Sequence, residues 1–153
     1  MIDKIYVKIQ CESIHGSVPT YSTKGSAGFD VRANIEKPIV LKSLDRYLVP
    51  TGISLQIPEG YEAQVRPRSG RALKQGLTVL NTPGTIDSDY RGEVGVILIN
   101  LSKEDVTISP NSRIAQMVFS KYSKATFIPV LMFDSDKSLN DRGLKGFGSS
   151  GND

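Results

Sequence analysis

Apolar residues in this chain come in short runs roughly ten positions apart, and almost nowhere at the three-to-four-residue interval of an amphipathic helix. The runs cover residues 4–9, 28–33, 38–41, 46–49, 52–57, 61–66, 77–80, 93–100, 105–108, 113–120 and 126–132. Turn signals such as Pro58-Glu59-Gly60, Thr82-Pro83-Gly84 and Ser109-Pro110-Asn111 stand between them. Short strands at this spacing predict an all-β sandwich or barrel with a single core. One helix is expected, Gly70 through Gln75, with Ser69 as its cap and Gly76 as its stop. Beyond Phe133 the pattern fails: residues 134–153 are rich in Ser, Asp, Gly and Lys, and Leu139, Leu144 and Phe147 are their only bulky apolar residues. A segment so poor in apolar surface has no core of its own. The chain therefore divides into a β domain, 1–133, and a flexible C-terminal arm, 134–153.

Composition narrows the chemistry. A chain of 153 residues is one domain long. Lys and Arg together number 19 against 16 Asp and Glu, a net charge of +3 without basic runs. A small polyanionic ligand fits that balance as well as DNA does, and with no Lys/Arg runs no stable nucleic-acid binding is expected. Cys11 is the only cysteine and His15 the only histidine, which removes disulfide frameworks, thiolate zinc sites and histidine cages, so any metal must be held by oxygen. The N-terminus, Met1-Ile2-Asp3-Lys4-Ile5-Tyr6-Val7-Lys8-Ile9, alternates and carries charges, unlike a secretion signal. The longest apolar stretch, near residues 94–99, is too short to cross a bilayer. These features lead us to expect a soluble, cytoplasmic protein.

Four segments carry candidate chemistry. Residues 84–95 crowd Asp87, Asp89 and Tyr90 between glycines and an apolar strand; the residues alone leave open a polar turn or a carboxylate held beside a flat ligand. Arg66-Pro67-Arg68-Ser69-Gly70 is either a solvated strand end or an anion site. Alternation along 112–119 puts Gln116 among core residues, where its amide needs partners, in the protein or in a ligand. Gly28-Phe29-Asp30 sets one acid in a glycine-flanked strand. The tail adds Gly146-Phe147-Gly148-Ser149-Ser150-Gly151, which formally matches the dinucleotide-fold fingerprint. A Rossmann glycine loop opens a helix within a βαβ unit, however, and only Asn152 and Asp153 follow. What remains is a loop suited to wrapping phosphate oxygens, with Arg142 beside it.

Taken in order, these segments resemble the five motifs of the trimeric dUTPases, enzymes that hydrolyse deoxyuridine triphosphate. The motifs are matched by Ala27 to Ala33, Pro67 to Gly70, Asn81 to Gly92, Arg113 to Met117, and Arg142-Gly143 continuing into Gly146 to Gly151. The resemblance implies a jelly-roll-like β-barrel, a homotrimer with active sites shared between subunits, and an arm that closes over a neighbour's site. It implies conversion of dUTP and water to dUMP and pyrophosphate with Mg2+, which keeps uracil out of DNA and supplies dUMP for thymidylate synthesis. By the same resemblance Asp87 activates the water, while Arg68, Ser69, Gly70 and Gln116 hold the phosphate chain, with Arg68 and Gln116 also counted as catalytic. Asp30 reaches the metal through water, the ion itself being held mainly by substrate phosphates. Uracil lies against a hairpin from Asn81 to Tyr90, with Asn81 reading its edge and Thr85, Ile86 and Gly95 contributing backbone. Tyr90 packs on the deoxyribose, Phe147 stacks over the base, and Arg142, Gly148, Ser149 and Ser150 close on the substrate.

Two departures from the family pattern stand out: Leu144 and Lys145 stand where small residues are usual, and Ser150 replaces a common threonine. The main rival is dCTP deaminase, which shares the fold, but no deaminase-type glutamate motif is present. A non-enzymatic jelly-roll assembly or nucleic-acid binder is the other alternative.

Overall fold

Ten strands and one short helix form among residues 4–16 and 18–131, which the computed structural model describes. In chain order they are β1 (Lys8–Cys11), β2 (Phe29–Arg32), β3 (Ile39–Leu41), β4 (Arg46–Gln56), β5 (Tyr61–Arg66), α1 (Ser69–Gln75), β6 (Leu77–Val79), β7 (Gly84–Ile86), β8 (Glu93–Asn100), β9 (Val106–Ile108) and β10 (Arg113–Lys121). One four-stranded sheet has the order β1-β4-β8-β6, another β2-β10-β5-β7, and β3 pairs with β9 alone. Every pairing is antiparallel, and no strand pairs with the one that follows it. The chain changes sheet at each step, so each connection crosses between layers rather than turning back as a hairpin.

The layers meet through alternating side chains. Along β8, Val94, Val96 and Leu98 are buried while Gly95, Ile97 and Ile99 point to the other face, the period-two pattern of a strand with one face on the core. Val49, Ile53 and Leu55 of β4, Val31 of β2, and Ala115 and Met117 of β10 complete the same core. Asn100 ends β8 fully buried. Its Nδ2 donates to the Leu41 and Glu104 carbonyls at 2.9 and 2.8 Å, and its Oδ1 accepts from Ser102 N and Oγ at 2.9 and 2.7 Å. That amide fastens the loop after β8 to β3, as a buried polar group must be satisfied.

The all-β expectation holds, with its sheets open rather than closed into a barrel. The first strand lies at Lys8–Cys11 instead of 4–9, where Gln10 and Cys11 find partners in Ser54 and Ile53. Runs 46–49 and 52–57 belong to one strand, β4, which bulges between Pro50 and Ser54. Gly52 turns that bulge with φ +67°, and a side chain there would stand 2.7 Å from the Ser13 Cα. The Asn81–Tyr90 segment is not a hairpin: β7 pairs with β5, whereas β8 pairs with β4 and β6 in the other sheet. In α1 the cap is Arg68, extended at φ −92° and ψ 124° with no side-chain cap bond, and Ser69 is already helical; Gly76 stops the helix in the left-handed region as expected. Residues 126–131 carry no strand. The chain divides after Ser123 into two units, and the architecture above belongs to the first.

Candidate functional site

The bond pattern of β10 assembles the first cluster. Gln116 sits opposite Asp30 of β2 on one side and Arg66 of β5 on the other. This register brings an acid and an amide from distant segments onto adjacent strands. Arg68, where β5 gives way to α1, donates from Nε to Asp30 Oδ1 at 2.7 Å, and Arg113 Nη1 approaches Asp30 Oδ2 at 3.4 Å. Gln116 Nε2 donates to the Pro67 carbonyl at 3.0 Å, which holds the turn carrying Arg68. Gly28 makes room for that amide, since a Cβ there would lie 2.8 Å from Gln116 Oε1. Arg66, by contrast, gives its guanidinium to Gln64 Oε1, which is the solvated-strand-end alternative realised.

Arg71 adds a third guanidinium. Its Nε donates to the Arg113 carbonyl at 2.9 Å, and burial, then the charges of Arg68 and Arg113, lower its pKa from the ordinary arginine value. Two guanidinium groups thus face one carboxylate, with Arg71 tied to the Arg113 backbone, a net positive charge that favours an anion. Asp30, Arg68, Ser69, Gly70, Arg113 and Gln116 line a cavity of about 290 Å3 here.

The second cluster lies where β4, β7 and β8 meet. Leu48, Pro50, Thr85, Ile86, Asp87 and Tyr90, with Glu93, Gly95 and Ile97, line a cavity of about 410 Å3. Asp87 and Tyr90 belong to a turn closed by the Tyr90 amide on the Asp87 carbonyl at 3.2 Å. The Asp87 side chain is exposed and takes no hydrogen bond among the described residues, so its carboxylate is available to a water or ligand. The Thr82–Pro83 peptide before it is cis. The walls are mostly apolar, with Thr85, Asp87, Tyr90 and Glu93 as the polar members, which fits a flat ring with a polar edge.

Of the site residues read from the sequence, Asp30, Arg68, Ser69, Gly70 and Gln116 gather in the first cavity, and Thr85, Ile86, Asp87, Tyr90 and Gly95 in the second. The cavities share no lining residue. Asn81 lines neither; its amide nitrogen lies beside Gly84, 3.2 Å from where a Cβ would stand. Arg142, Phe147, Gly148, Ser149 and Ser150 lie outside the described residues. Leu48, Pro50, Arg71 and Glu93 were not singled out from the sequence. Leu48 and Pro50 read as plain strand residues, and the bonds of Arg71 and Glu93 run to residues about forty positions away.

No group of three acidic, histidine or cysteine side chains capable of holding a metal occurs among the described residues. Asp30 already faces two arginines, so it suits a divalent cation only through water, the ion's other ligands coming from elsewhere.

A family model described as dUTPase matches residues 15–151. The deoxyuridine 5'-triphosphate nucleotidohydrolase of Fusobacterium nucleatum is 56% identical over 148 residues, covering 97% of this chain and 98% of that protein. The protein of the same name from Bdellovibrio bacteriovorus is 52% identical over 151 residues, covering 98% and 99%. Among solved structures, the Staphylococcus bacteriophage 80alpha dUTPase with dUPNHPP superposes with a TM-score of 0.79 at 26% identity, covering 97% of this chain and 99% of that one.

Proposed function

The chain belongs to the dUTPase family, and from that premise we propose that it converts dUTP and water to dUMP and pyrophosphate at sites built from two copies of itself. The observation that carries the proposal is the separation of two complementary half-sites on one chain. One has an unpaired carboxylate, a tyrosine and apolar walls; the other has two arginines and an amide. A deoxynucleoside triphosphate needs both. Juxtaposing the cavity of one subunit with the arginine cluster of the next supplies both at once.

In this reading the base and sugar occupy the cavity beside Thr85, Ile86, Gly95 and Tyr90, with Asn81 approaching the uracil edge. Asp87 takes a proton from the attacking water. A positioned base contributes about 10²–10⁴-fold, on the order of 3–5.5 kcal/mol, while enzymes commonly lower barriers by ~8–23 kcal/mol. The difference falls to the groups that align and neutralise the phosphates: Arg68, Ser69, Gly70 and Gln116, helped by Arg113. Mg2+, when bound, neutralises charge on the phosphate oxygens. Asp30 reaches it through water and keeps Arg68 pointed at the chain. Arg142, Phe147, Gly148, Ser149 and Ser150 of the arm 134–153 close over the complex, beyond the domain 1–133.

A trimer is supported by apolar surface outside both cavities: Leu44 before β4 and Leu80 after β6 are exposed and line neither. An apolar face of this kind is where a second and third copy would pack. No helix among the described residues is long and apolar enough to cross a membrane, and we place the activity in the cytoplasm.

The test is an assay of dUTP beside the common deoxynucleoside triphosphates, with detection of pyrophosphate and of the nucleotide product. We expect dUMP and pyrophosphate from dUTP alone, dependent on Mg2+. Release of dUTP from dCTP would favour the deaminase instead, and absence of turnover would refute both.

A further inference from the structure

Tyr90 forms the cavity wall that faces the sugar in this reading, and its position is fixed by the residues just after it. The ring lies against Gly92, where a Cβ would stand 2.5 Å from Oη and 2.7 Å from Cζ. Its Oη donates to the Glu93 carbonyl at 2.9 Å. The Glu93 side chain bonds elsewhere: Oε1 accepts from the Thr51 amide at 3.1 Å and from the Gly52 amide at 2.6 Å. Those two amides belong to the bulge of β4, directly after Pro50. Pro50 and Leu48 line the cavity together with Tyr90 and Glu93. Thr51 Oγ1 adds a second tie by donating to the Val94 carbonyl at 2.5 Å.

One residue therefore joins two walls of the cavity, Tyr90 through its carbonyl and the β4 bulge through its carboxylate. We infer that Glu93 is a positioning residue that sets the spacing between Tyr90 and the Pro50 wall, and through it the preference for deoxyribose over ribose. The inference rests on the reading of this cavity given above. Rejecting a single hydroxyl requires a wall that does not yield, because a contact relaxed by about 1 Å costs as much as about 10²-fold in rate. A bulge is a local break in the ladder. Its two amides have no strand partner to replace Glu93, so removing the carboxylate leaves them unsatisfied and the bulge beside Pro50 with fewer ties to β8.

The test compares kcat and KM for dUTP and UTP in the full-length protein carrying Glu93→Ala, Glu93→Gln, Tyr90→Phe and Glu93→Ala with Tyr90→Phe. We expect Glu93→Ala to lower the dUTP-over-UTP ratio of kcat/KM about tenfold, mainly through KM, as expected when binding rather than chemistry is altered. Glu93→Gln, which keeps an oxygen at the same reach, restores most of the ratio. In the Tyr90→Phe background, where the bond to the Glu93 carbonyl is already gone, Glu93→Ala adds little. If Glu93→Ala does not fold, Glu93→Asp withdraws the oxygen by one methylene and is expected to shift the ratio the same way. An unchanged ratio in Glu93→Ala or Glu93→Asp, full additivity with Tyr90→Phe, or Glu93→Gln failing like alanine would each overturn the inference. Wild-type protein that turns over UTP as readily as dUTP would instead defeat the underlying reading, and the inference with it.

Discussion

Asp87 and Arg68 line different cavities of one chain, and that separation makes a quantitative prediction for mixed assemblies. Take two variants, Asp87→Asn and Arg68→Ala. Each alone is expected to fall at least about 10²-fold in kcat, the lower bound for losing a positioned base or a charged donor. Arg68→Ala should stay folded, because the Arg68–Asp30 pair is part-exposed and Arg113 remains beside the acid; a pair so placed contributes no more than about 1 kcal/mol. Now unfold the two together in equal amounts and refold them, or co-express them. If each site takes its carboxylate from one chain and its arginine from the next, a site is intact when the first chain is the Arg68→Ala variant and its neighbour the Asp87→Asn variant. Random assortment gives that arrangement in about one site in four. The mixture should therefore recover about a quarter of wild-type kcat per chain, measured as pyrophosphate release, while the separately refolded variants stay inactive. Mixed oligomers, confirmed by separable tags, that recover nothing would refute the shared site.

Asp87→Asn should retain dUTP binding within a few-fold by calorimetry while losing about 10²–10⁴-fold in kcat, since size and polarity are kept and the base is removed; near-normal kcat would refute its assigned role. Gly28→Ala places a methyl 2.8 Å from Gln116 Oε1 and 3.2 Å from the Met117 carbonyl oxygen, so KM for dUTP should rise along with some loss of thermal midpoint, and an unchanged KM would show that the Gln116 amide is not needed where it stands. Asn100→Ala should cost roughly 2–4 kcal/mol in denaturant unfolding, because buried carbonyls of β3 and the following loop lose their donors; a loss under about 1 kcal/mol would contradict that account. Deleting residues 141–153 should leave a folded oligomer by circular dichroism and gel filtration with little activity, and full activity would exclude the arm from the site.

The strands were legible because each buries one face. In β8 the sequence shows an apolar run over residues 94–99, and the fold divides it, with Val94, Val96 and Leu98 in the core and Ile97 and Ile99 on the other face. Pairing was not legible, since every ladder joins strands that are not neighbours in the chain, and apolar periodicity carries no information about distant partners. That is why Asn81–Tyr90 reads as a hairpin and is not one. Runs 46–49 and 52–57 read as two strands, whereas the positive φ of Gly52 lets one strand continue through a bulge. Ser69 has the composition of a cap, but Arg68 holds the extended backbone of that position and turns its guanidinium to Asp30. The motif residues themselves were readable as two chemical sets, one for an anion and one for a ring. The residues that frame them, Leu48, Pro50, Arg71 and Glu93, act through contacts that only the folded register creates.

The position of β10 between β2 and β5 has a consequence for biosynthesis. Asp30 emerges from the ribosome early, yet the strand that carries Gln116 and bridges the two older strands emerges some eighty residues afterwards. A nascent polypeptide interrupted anywhere before that strand exposes two unpaired edges and has no phosphate cradle. Abortive products are thus catalytically silent and open to proteolysis, and the arginine cluster acquires its shape in the same late event that seals the sheet.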